Sequence, residues 1–185
     1  MMNQAHHLKT IAAHAAFDET EAAHQQAMLA FVARYGDFYK RTLSVGHVTS
    51  SAWIIDPTCC HALMLHHKKL NRWLQPGGHV EDDATVLESA LREAQEETGI
   101  AELRTVSDAI FDIDIHTIPA NKREAAHPHF DIRYLFEAAL DDAPEISDES
   151  NEVRWFTLEE IPAINSEASI QRMILKTVHL KNNQR

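Results

Sequence analysis

The chain has 185 residues, of which 44% are hydrophobic, and a formal net charge of −11. That length suits one domain, or one domain with an appendage, around a sizeable core. The acidic balance excludes a general nucleic-acid binder, which needs a basic footprint, and an anionic substrate would need a local positive centre such as a metal ion.

The first residues, MMNQAHHLKTIAAHAAF, lack the apolar core of a signal peptide, and no later run approaches membrane-spanning length. The only cysteines, Cys59 and Cys60, are adjacent and make a poor disulfide framework. A soluble, cytoplasmic protein with no membrane partner is therefore expected. The first forty-odd residues read as helical. Asp18 with Glu21 three residues on is a capping pattern, and Met28, Leu29, Val32 and Tyr35 recur at helical spacing up to Gly36. A helical extension over residues 1–44, packed on a main domain over 45–185, is the expectation; a dimer contact is the alternative.

From Val45 the period changes. HVTSSAWIID and HALMLHHKK read as strands joined by a turn at Pro57 and Thr58. AIFDIDIHTI and HFDIRYLFEAAL alternate in the manner of strands, and EVRWFTL is a further short one. Thr157 with Glu160 has capping-box spacing, and a last helix from about Ser166 is expected to bury Ile170, Met173, Ile174 and Val178. Strands and helices interleave, which predicts an α/β class with a mixed sheet covered on both faces.

Between these strands lies PGGHVEDDATVLESALREAQEETGI. Pro76-Gly77-Gly78 predicts a loop. Asp82 or Asp83 is the expected cap of a helix that runs to Thr98 and stops at Gly99, with Val86, Leu87, Ala90, Leu91 and Ala94 as its buried stripe. Glu93, Glu96 and Glu97 then share a neighbouring face. Each like-charge pair at that spacing costs a helix about 0.2–0.5 kcal/mol. Acids near a helix C-terminus oppose its dipole by roughly 0.3–1 kcal/mol each. A solvated acidic face leaves both costs standing. A divalent cation among the carboxylates offsets them, and oxygen ligands indicate Mg²⁺ or Mn²⁺ over zinc.

The same stretch closely resembles the Nudix box, Gly-x5-Glu-x7-Arg-Glu-apolar-x-Glu-Glu-x-Gly-apolar, with Gly78 setting the register. Arg92 and Glu93 fall on the Arg-Glu pair, Ala94 on the apolar position, Glu96 and Glu97 on the Glu-Glu pair, and Gly99 and Ile100 on the ending. RWLQPGGHVE and ESNEVRWFTLEEI on either side are also similar to the family, and the likeness runs from about Val45 to Ile161. One position departs: Ala84 stands where the first box glutamate belongs. In the family that glutamate supports the loop and the box arginine; Glu88, one turn before Arg92, could supply the same partner here, and Glu81, Asp82 and Asp83 are also close.

The resemblance implies a Nudix fold, an α/β/α sandwich with a mixed sheet. It also implies a metal-dependent pyrophosphohydrolase that cleaves a nucleoside diphosphate linked to another moiety by attack of metal-activated water. Glu93 and Glu97 are then the first metal ligands, with Glu96 and the Gly78 carbonyl also available, and Arg92 holds Glu93. The general base is Glu93 or a glutamate of a later loop, Glu149 or Glu152. The substrate is a small nucleotide-like diphosphate, and similar proteins are often homodimers. The competing class, suggested by Ala84, is a Nudix-fold nucleotide-binding or sensing module with weak or no catalysis.

His127, His129, Asp131 and Arg133 project to one side of an extended segment, where they line a substrate cleft or are structural. The H-x-H of His127 and His129 has no obvious further ligands, so no zinc site is expected from it. His79, inside the box loop, touches phosphate or faces solvent. The run Cys59-Cys60-His61 is only a short match to isopentenyl-diphosphate isomerases, and the intact REAQEE favours hydrolysis.

Overall fold

The computed structural model describes residues 3–120 and 125–183. In chain order the elements are α1 (Gln4–Ala13), α2 (Glu19–Arg34), β1 (His47–Ile55), β2 (His61–His67), β3 (Arg72–Leu74), β4 (Gly77–His79), α3 (Val86–Thr98), β5 (Arg104–Thr105), β6 (Asp112–Ile118), β7 (His127–Glu137), β8 (Ser150–Thr157), α4 (Ile161–Ile164) and α5 (Ala168–Asn183). They group into two compact units. One comprises Met1–Ser51, Gly78–Ala90 and Asp108–Tyr134; the other Ala52–Gly77, Leu91–Ser107 and Leu135–Arg185.

In the first unit the Asp18 carboxylate accepts the Glu21 N–H at 2.7 Å, as the spacing predicts. The helical extension is two helices, with residues 14–18 between them. Glu21 is fully buried and accepts the N–H groups of Phe17 and Ile113, with His14 Nε2 at 2.8 Å. A buried carboxylate needs such partners, and here they tie α2 to β6. β6 pairs antiparallel with β7 from Asp112↔Arg133 to Ile118↔His127. The ring of Phe31 stacks on Phe130 at 4.0 Å between centroids. Gly46 has φ +122°, and a Cβ there would stand 2.6 Å from the Pro128 carbonyl oxygen. Only glycine lets the chain enter β1 this close to β7.

In the second unit β2 pairs antiparallel with the end of β1 (Ile55↔Ala62), with β3, and with β8 from His61↔Thr157 to His67↔Ser150. Every residue of β1 is buried, the mark of an internal strand. The turn at Pro57 and Thr58 is closed by Asp56, whose carboxylate accepts the N–H groups of Thr58, Cys60 and His61. Burial opposes ionisation of Asp56, but these bonds outweigh it and hold its acid below the usual range.

Some expectations are corrected. Gly77–His79 is a short strand rather than a loop, preceded by Pro76, whose carbonyl accepts the Ala52 N–H at 2.9 Å. Thr157 and Glu160 exchange capping-box hydrogen bonds, yet the helix that follows is a single turn. In α5, Ile170, Met173 and Ile174 are buried but Val178 is 41% exposed. Thr177 is buried in its place. Its hydroxyl accepts the indole N–H of buried Trp53 at 2.9 Å and donates to the Met173 carbonyl at 2.8 Å. A buried indole N–H costs free energy unless it has an acceptor.

Candidate active site

Helix α3 is capped by Thr85, not by Asp82 or Asp83. The Thr85 hydroxyl accepts the Glu88 N–H at 3.1 Å, and the Glu88 carboxylate accepts the Thr85 N–H at 3.1 Å. This reciprocal box satisfies donors that the first turn leaves open. Glu88 also accepts the N–H of Ala84 at 3.0 Å. The substitute glutamate therefore does support the loop, through the main chain at position 84. At the fourth residue of the helix, Ser89 donates to the His79 carbonyl at 3.4 Å and accepts from Ser50 at 3.1 Å, fastening the end of β4.

The second half of α3 carries the acids. Arg92 Nη1 donates to Glu93 Oε1 at 2.9 Å and to Glu96 Oε2 at 3.2 Å, so one guanidinium orients two carboxylates. Glu97 is different: it is 8% exposed and accepts the Gly77 N–H at 2.8 Å. Burial pushes its carboxyl up to about 8; the charges of Glu93, Glu149 and Glu96 add to that, and the Gly77 N–H opposes it. A buried carboxylate among other acids, with a backbone donor on one oxygen, is a donor set that fits a hard divalent cation. Gly99 closes the helix at φ +68°, where a Cβ would stand 2.6 Å from Glu145 Cβ. The helix stop is thus also a packing requirement.

Of the two loop acids, Glu149 is the one whose charge acts on Glu97, while its own carboxylate stands 3.8 Å from Lys69 Nζ. Glu152 lies on β8 opposite His66, half exposed, with Arg154 Nε at 3.8 Å.

The remaining residues singled out in the sequence, Gly78, His79, His127, His129 and Arg133, belong to the first unit. Arg133 does not line an open cleft. It is 3% exposed, and its guanidinium donates to Asp131 at 2.8 Å and to Asp112 and Asp114 at 3.2 Å each. Burial disfavours its charge, and the three aspartates outweigh burial and hold it ionised. Thr49 and Ser51 donate to Asp131, completing an interior polar network. The alternation along β7 placed Arg133 on the right side of its strand but could not show that this side is covered. His127 and His129 are packed ring to ring with His47, whose centroid lies 5.0 and 4.6 Å from theirs. His79 joins them, 5.0 Å from His47. His47 lies 80 residues before His127, so no local spacing could have singled it out.

Residues 46–177 match the family model described as the NUDIX domain. A curated relative, named a probable DHNTP pyrophosphohydrolase from Lactococcus lactis subsp. cremoris (strain MG1363), is 35% identical over 97 residues. That covers 51% of this chain and 54% of the relative, so the chain spans about half the length of that relative. Among solved structures, a C. elegans Ap4A hydrolase binary complex is similar with a TM-score of 0.59 and 20% identity, over 74% of this chain and 98% of that one. The E. coli dihydroneopterin triphosphate pyrophosphohydrolase gives a TM-score of 0.52 and 16% identity, over 69% and 91%. At such identities the likeness carries the fold, an α/β arrangement of a mixed sheet with helices. Enzymes of the matched family generally use divalent metal ions. The match takes in every strand and the whole of α3, and the chain belongs to the Nudix hydrolase family.

Proposed function

We propose that the protein hydrolyses a diphosphate bond in a small nucleotide-like molecule, with Mg²⁺ or Mn²⁺ as cofactor and water as the nucleophile. The observation that carries this is Glu97, a buried carboxyl held by the Gly77 N–H and pressed by the charges of Glu93, Glu96 and Glu149. When bound, the cation lowers the pKa of its water and offsets charge on the phosphate oxygens. Glu93, Glu96 and Glu97 would hold it. Arg92 fixes the first two carboxylates through charge-assisted hydrogen bonds. Glu149 receives the proton of the attacking water at its carboxylate, a role its influence on Glu97 favours over Glu152.

The names of the relatives, a probable DHNTP pyrophosphohydrolase and an Ap4A hydrolase, support phosphoanhydrides attached to a pterin or nucleoside as the substrate class. Among the described residues no helix is long and apolar enough to cross a membrane. We place the enzyme in the cytoplasm, acting on small molecules rather than nucleic-acid polymers, with a homodimer as one arrangement open to it.

The test is Mg²⁺-dependent phosphate or pyrophosphate release from a panel: dihydroneopterin triphosphate, dinucleoside polyphosphates, ADP-ribose, NADH, nucleotide sugars and NTPs. Turnover of at least one, abolished in a folded Glu97→Gln variant, is the expected result. Nucleotide binding without turnover of any substrate would replace this proposal with a binding or sensing module.

A further inference from the structure

We propose that His47, His127 and His129 form a binding site for a divalent transition-metal ion of the zinc class, built from different ligands than the carboxylates of α3. One ring nitrogen from each of the three lies within 4.8 Å of those of the other two. Zinc–nitrogen bonds of about 2.0–2.1 Å in a tetrahedral site bring ligand nitrogens to about 3.3 Å from one another. Small side-chain rotations close that difference.

The strands bring these residues together. His127 and His129 alternate on β7 and so share a side. Gly46, the residue before His47, lies against Pro128, the residue between those two histidines. A side chain at 46 would force β1 away. His116, paired across the ladder with His129, and His79 complete a nest of imidazoles, with centroids 5.6 and 5.4 Å from His129.

The tautomer of His127 is already the one a metal needs. Its Nδ1 lies 2.8 Å from the Ala125 carbonyl, which can only accept, so Nδ1 carries the proton. In the neutral ring Nε2 then carries the lone pair, and it is buried with no hydrogen-bond partner among the described residues. A backbone acceptor on the far nitrogen is the usual way a ligating histidine is oriented. Neutral imidazoles suit zinc, copper, nickel and iron and are poor ligands for Mg²⁺. Three protein ligands leave a fourth position for water or an anionic oxygen. The H-x-H pair lacked a further ligand in sequence; the fold supplies it from β1.

The test uses the full-length protein, stripped with chelator and titrated with Zn²⁺ by calorimetry in excess Mg²⁺. We expect one Zn²⁺ per chain, and Co²⁺ in the same site should show the visible spectrum of a tetrahedral nitrogen-rich site. His47→Asn, His127→Gln and His129→Gln should each weaken binding by at least about tenfold, while Glu97→Gln retains it. A variant that fails to fold leaves a second measurement on the wild type. Ring ¹⁵N spectra should show His127 Nε2 shifting on Zn²⁺ addition while its Nδ1 stays protonated. Binding no tighter than that of the triple histidine variant, loss of zinc in Glu97→Gln, or an unmoved Nε2 resonance would each overturn the proposal.

Discussion

The backbone N–H of Ala84 donates to the Glu88 carboxylate at 3.0 Å, one turn further along the chain. The acid missing from position 84 is thus answered by a carboxylate that grips the main chain of that position and caps α3. Glu88→Ala removes both acceptor bonds and should destabilise the fold by about 0.5–2 kcal/mol, the range of a lost helix cap. Chemical denaturation measures this directly. Ala84→Glu should change kcat/KM by less than about tenfold, equivalent to about 1.4 kcal/mol. A gain of several orders of magnitude would show that Glu88 does not compensate.

Glu97 links pH, metal and stability. A carboxyl in an unfolded chain loses its proton near 4.5, whereas in the metal-free folded protein Glu97 keeps it up to about 8. Folding therefore favours the protonated form. The stability this confers is complete below pH 4.5 and is lost as pH rises through 8. In chelator, thermal midpoints should fall over this window, and Glu97→Gln should flatten the fall. Added Mg²⁺ should raise the midpoint most at the alkaline end. An identical pH profile in the variant would exclude Glu97 as the origin.

Arg133 neutralises a buried set of aspartates. Arg133→Met leaves Asp112, Asp114 and Asp131 in the interior without its guanidinium, and should cost about 3–5 kcal/mol in urea unfolding. Arg133→Lys should recover only part of this, because a single ammonium lacks the fork that reaches all three. A variant as stable as the wild type would refute the structural role.

The adjacent thiols should differ in reactivity. Lys181 Nζ donates to Cys60 Sγ at 2.8 Å and holds that thiol below its usual range, while burial, followed by the charges of Asp56 and Glu137, pushes Cys59 up. Alkylation at neutral pH, followed by peptide mass mapping, should modify Cys60 first. Lys181→Met should slow that step; an unchanged rate would show that the lysine does not set the reactivity.

What could be read from the chain was what local chemistry decides. Asp18 caps α2 and Gly99 ends α3 because each acts within one helical turn. The acids of α3 were visible because their spacing is fixed by the helix that carries them. Burial was harder to read. Alternation put Arg133 on a side of β7 without showing that the side is covered. Helical periodicity favoured Val178 for a site where Trp53 requires a hydroxyl from Thr177. Glu88 was expected to answer the missing acid through a side-chain partnership with Arg92, and it does so through the Ala84 and Thr85 amides. The partner of the H-x-H pair was out of reach, because only strand pairing brings His47 beside it.

Gly46 has no chemistry of its own, yet it governs how near His47 comes to β7. This makes the order of evolutionary events matter. A lineage that gained the three histidines while carrying a side chain at 46 would hold the ligands apart and gain nothing from them. One that kept the histidines and lost the glycine would fall silent with every ligand still in place. Among descendants of this chain, the glycine is therefore the better marker of whether the three imidazoles still act together.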